Sequence, residues 1–74
     1  MPKDDYVRAA DFERLAPKRL EAALEKLRIF GNLANTYSYA YEPDEVERMI
    51  GALHSEIDRV EQDFVIGLRH QGHG

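Results

Sequence analysis

The sequence predicts an all-α fold: an antiparallel helical hairpin with a short extra helix at its amino end, completing its bundle by dimerisation. Three observations carry that prediction. Two stretches, Lys18 to about Asn35 and Pro43 to about Leu68, repeat apolar residues at spacings of three and four, the period of one helix face. Between them lies a hinge rich in turn formers and aromatics, Phe30-Gly31-Asn32-Leu33-Ala34-Asn35-Thr36-Tyr37-Ser38-Tyr39-Ala40-Tyr41-Glu42-Pro43. Finally, a chain of 74 residues without cysteine makes one domain at most and has no disulfide or thiolate metal site to staple a small core. Helix pairing or oligomerisation must supply the stability.

Residues 1–4 carry no pattern and are expected to be loose. Behind Asp5, an acid placed to cap a helix, the run Tyr6-Val7-Arg8-Ala9-Ala10-Asp11-Phe12-Glu13-Arg14-Leu15 holds good helix formers. Pro17 is expected to end this short helix near Leu15, because proline lacks the N–H a helix interior needs and disfavours the α conformation of the residue before it. The same proline suits the first position of a second helix, in which Leu20, Ala23, Leu24, Leu27, Phe30 and Ala34 form one stripe. Its end is placed near Asn35, with Gly31 inside the helix as a point where a neighbour approaches closely.

In the hinge the period changes. Tyr37, Tyr39 and Tyr41 recur every second residue, which in an extended chain puts three rings on one side. Asn32 and Asn35 are the residues most suited to capping carbonyls in the turn. Glu42-Pro43-Asp44-Glu45 then reads as a helix start, with Pro at the first helical position and acids at the positive end of the dipole.

The helix that follows gives the strongest pattern. Val46, Ile50, Leu53, Ile57, Val60 and Phe64 keep a 4-3-4-3-4 spacing, a heptad seam, widened by Met49 and extended by Val65 and Leu68. At about 1.5 Å per residue this helix is roughly 39 Å long against roughly 28 Å for its predecessor, so part of its seam needs a further cover. The short first helix, folding back as an arm with Tyr6, Phe12 and Leu15, is expected to cover the far end of the longer helix, and a second copy of the chain the rest. Charge supports antiparallel pairing: Pro17 to Asn35 holds four bases and two acids, Pro43 to Leu68 seven acids and two bases. Exposed ion pairs are worth only about 0–1 kcal/mol each, so the contrast sets orientation more than stability. The tail, residues 69–74, is polar and expected to fray.

Several function classes find no footing. The net charge is −4, the opposite of the basic patch that advertises nucleic-acid binding, so direct nucleic-acid binding is not expected. No apolar run approaches the roughly 20 residues that span a bilayer, and Met1-Pro2-Lys3-Asp4-Asp5 lacks the apolar run of a signal peptide, so a soluble cytoplasmic protein is expected. His70 and His73 are three apart but sit in a Gly-rich tail with His54 roughly four turns back, so no metal site is expected, and Gly51 stands where a Glu-x-x-His pair would need its acid. There is no cysteine nucleophile and no Gly-rich phosphate loop, and carboxylates that share a helix face, such as Glu21 with Glu25, read as a solvated surface. Neither an enzyme nor a cofactor is expected.

What remains is binding between proteins. Two surfaces compete: the tyrosine ladder Tyr37, Tyr39 and Tyr41 with Asn32 and Asn35, and the seam from Val46 to Phe64 as a self-association surface. The bland reading of the ladder is that its rings pack on the hinge and staple the turn. A further reading takes Asp44, Glu47, Glu56, Asp58, Glu61 and Asp63 as one acidic face, with Glu47 and Asp58 foremost, set against a basic groove. An acidic helix is more often simply a soluble one.

Leu27, then Gly31-Asn32-Leu33-Ala34-Asn35, Tyr39 and Tyr41, and a helix opening at Val46 with Ile50 and Leu53 together resemble a set of small, largely uncharacterised helical proteins of bacteriophages and other mobile elements. The resemblance covers roughly Leu20 to Phe64. It implies no catalytic residue. It implies no activity either; the alternative to a homodimeric interaction module is a phage-type inhibitor or regulator that binds a host nucleic-acid-processing complex, with the acidic helix face set against a basic groove.

Overall fold

An unbroken helix occupies most of the first half of the chain. In the computed structural model, which describes residues 5–71, α1 spans Asp5–Gly31, a 3₁₀ turn follows over Asn32–Ala34, and α2 spans Pro43–Gln71. All regular structure among the described residues is helical, as the periodicity requires. The chain divides into two units, residues 1–39 and residues 40–74, the first built on α1 and the second on α2.

The expected break at Pro17 does not occur: Pro17 lies inside α1, and the two predicted helices are one. The reason lies in the residues around it. Ending one helix at Leu15 and opening another would leave up to four carbonyls and four N–H groups without helical partners, and Ala16 is among the poorest N-caps. Continuing through Pro17 forfeits one backbone bond, to the Glu13 carbonyl, at about 3 kcal/mol. With Arg14, Leu15, Ala16, Lys18, Arg19 and Leu20 all good helix formers, continuity is the smaller penalty.

A second consequence is length. α1 has 27 residues and α2 has 29, so the mismatch that called for a second copy to cover a longer α2 disappears. The α1 stripe also gains residues, since Ala9, Phe12 and Ala16 fall on the same side as Leu20 and Leu27 once the helix is continuous. Phe12 is therefore a residue of α1 and not of a separate arm.

α1 ends at Gly31, four residues before the predicted end, and tightens into the 3₁₀ turn. Gly31 is right-handed, with φ −63° and ψ −20°, and is not a left-handed cap. Within the single chain a Cβ built at Gly31 meets no atom within 4 Å.

The predicted extended ladder is corrected at its first rung. Asn35 is extended, with ψ 106°, and then gathers the chain around itself. Its backbone N–H donates to the Asn32 carbonyl at 3.3 Å, its own carbonyl accepts from Ser38 at 3.2 Å and Tyr39 at 3.0 Å, and its side-chain Oδ1 accepts from the Tyr37 N–H at 3.0 Å. That last bond is an Asx turn, the local alternative that asparagine offers to extended backbone. Tyr37 thus sits in a turn over 36–38, and of the three ladder residues Tyr39 and Tyr41 lie outside turn and helix.

α2 opens as read from its sequence. Pro43 is the first helical residue, and the Val46 N–H donates to the Glu42 carbonyl at 3.1 Å. The Glu45 side chain reaches back to accept from the Glu42 N–H at 3.1 Å, the reciprocal half of a capping box. The helix runs on through Arg69, His70 and Gln71, three residues expected to fray. Arg69 and His70 face the negative end of the helix dipole, which favours cations there. The predicted loose residues 1–4 and His73 lie outside the described residues.

Candidate interaction site

The seam of α2 is one continuous face and lies open to solvent. Val46 and Leu53 are half-buried among their helical neighbours, whereas Ile50 is 39% and Ile57 57% exposed, with Val60 and Phe64 exposed as well. No described residue of the chain is fully buried. On α1 the corresponding stripe exposes Leu20, Leu24 and Leu27.

The acids predicted to share one face do not. Turning about 100° per residue, α2 places Glu47, Asp58 and Glu61 along one flank of the seam and Glu56 and Asp63 along the other, with Asp44 well round the back. A count of charges along the helix does not show which side each one takes. They also differ in company. Asp44 pairs with Arg48 at 3.3 Å, and Arg59 bridges Glu56 and Asp63, donating from Nε to Glu56 Oε2 at 3.1 Å and lying 3.4 Å from Asp63 Oδ2. Glu47, Asp58 and Glu61 make no ion pair among the described residues. Sequence reasoning overlooked Arg59, although its i−3 and i+4 acids are the spacing at which helical side chains meet.

That bridge has an electrostatic trace. Hydrogen bonding from Arg59, and then its positive charge, hold the Glu56 carboxyl below its ordinary value of 4.5, and the same pair raises the Arg59 guanidinium. A carboxyl depressed in the folded state adds stability that is present above its unfolded pKa and is lost as pH falls through the lower, folded value. The bridge therefore supports α2 at neutral pH and fades only below about 4.5. In a side-chain carboxyl NMR titration, Arg59→Ala is expected to return the Glu56 midpoint upward to the ordinary glutamate range. An unchanged midpoint would contradict the bridge.

Among the tyrosines, Tyr37 is fully exposed at 100%, Tyr39 half exposed at 50% and Tyr41 42% exposed. The turn is hydrogen-bonded through Asn35 and backbone atoms, and Tyr37 and Tyr39 are exposed, so Tyr37→Ser with Tyr39→Ser is expected to shift stability by no more than about 0.5 kcal/mol, the range of ordinary surface changes. A drop of several degrees in melting temperature would instead show the rings stapling the hinge. Asn35 is structural through both its side chain and its backbone; Asn32 contributes its carbonyl.

His54 lies within α2 and His70 in its last turn. No three His, Asp or Glu side chains gather into a metal-sized cluster among the described residues, and no described helix is long and apolar enough to cross a membrane. No family model, curated protein or solved structure matches the chain.

Proposed function

We propose that this chain is a non-enzymatic protein–protein interaction module that acts as a homodimer, closing its apolar stripes by antiparallel pairing of an α1 with an α2, the hairpin relation expected from the sequence. The observation that carries this reading is the six-residue seam of α2, regular over three heptads yet open to solvent at Ile50, Ile57 and Val60. An apolar face of that length is stable in water only when another helix covers it, since helices in proteins draw their stability chiefly from packing of such a face. The matched lengths of α1 and α2 favour the antiparallel partner. Apolar side chains off the seam, Ile29 on α1 and Ile66 on α2, leave surface for a second copy even when the stripes are closed.

Mass action tests this directly. For a homodimer whose folding is coupled to association, the melting temperature followed by circular dichroism rises with protein concentration. A melting temperature constant over a hundredfold concentration range is the result that defeats the reading.

A further inference from the structure

We infer that the seam of α2 is covered by α1 of the second copy and not by the second copy's α2, because the charges flanking the seam repel one arrangement and match the other. This rests on the homodimer reading above and names the helices that meet in it.

Two α2 helices pack seam to seam either parallel or antiparallel. In a coiled-coil pair the residues flanking the apolar stripe of one helix face those flanking the stripe of the other. With the α2 helices parallel, Glu56 of each copy faces Glu61 of its partner, and with them antiparallel, Glu56 faces Glu56 and Glu47 faces Glu61. Every charged contact is acid against acid. Arg59 does not cancel this, since one guanidinium is shared between Glu56 and Asp63, and Glu47 and Glu61 have no ion pair among the described residues.

α1 offers the complement. Arg19 and Lys26 are seven residues apart on one flank of the α1 stripe and make no ion pair among the described residues, and Glu56 and Asp63 are seven apart on one flank of the α2 seam. Antiparallel pairing that sets Leu27 against Leu53 and Ala23 against Ile57 sets Lys26 beside Glu56 and Arg19 beside Asp63. The small residue meets the β-branched one, and both bases meet acids in a single register. Because the pairing is reciprocal, each copy gives an α1 and receives one, which closes both seams around a two-fold axis.

The test exchanges the charges. One variant, Glu56→Lys with Asp63→Lys, makes the α2 flank basic; the other, Arg19→Glu with Lys26→Glu, makes the α1 flank acidic. Each alone is expected to self-associate roughly tenfold or more weakly than the wild type, and an equimolar mixture to recover association as a heterodimer seen by native mass spectrometry. If the α1 variant alone dimerises like the wild type, α1 is not in the interface and α2 pairs with α2. If each variant weakens but the mixture forms no heterodimer, the α1–α2 contact lies within one chain. Either result overturns the inference while leaving the wild-type dimer standing. A monomeric wild type overturns the homodimer reading itself.

Discussion

Ile57→Asp is expected to abolish association and strip the chain of most of its helicity at micromolar concentration. Ile57 stands in the middle of the seam and is 57% exposed in the single chain, so it is poised to be covered. In the closed dimer the aspartate places an unpaired charge in an apolar layer, twice per dimer, at several kcal/mol in all. A small domain has only about 5–15 kcal/mol of stability, so folding and association fail together. Glu47→Lys, one residue along from Val46 at the edge of the stripe, is expected to change stability by no more than about 0.5 kcal/mol. Urea unfolding of both variants separates seam from surface. An Ile57→Asp protein as stable as the wild type would refute the helix register from which the interface is built.

Pro17→Ala is expected to stabilise the chain by about 2–3 kcal/mol, even after allowing for the freedom that proline removes from the unfolded state. Alanine restores the N–H that donates to the Glu13 carbonyl in an unbroken α1. For a domain of this size the gain corresponds to a rise in melting temperature of roughly 10 °C or more. Had two helices met at Pro17, the proline would occupy a favoured first position and its loss would be neutral or mildly destabilising. The sign of the change therefore reports directly on helix continuity.

These two residues also show where the sequence was legible. The apolar face through Ile57 was readable because a heptad repeat kept from Val46 to Phe64 has one geometric meaning, and α2 begins at Pro43 as the proline and its following acids require. Pro17 was misread because a residue's local preference was weighed without the cost of the alternative, namely two uncapped helix ends flanking Ala16. Tyr37 was misread for a related reason: alternation suggested an extended ladder, but Asn35 bonds the Tyr37 N–H through its side chain and bends the chain first. The acids of α2 were counted correctly but not resolved into Glu47, Asp58 and Glu61 on one flank and Glu56 with Asp63 on the other. That division, invisible in a net charge, is what distinguishes α1 from α2 as the occupant of the seam.

The measurement that bears most directly on this account is sedimentation equilibrium of the wild-type chain from low to high micromolar concentration. A reversible monomer–dimer equilibrium, with helicity rising as the dimer forms, is the predicted result. A monodisperse monomer at high micromolar concentration, fully helical and with a well-dispersed amide spectrum, would contradict it.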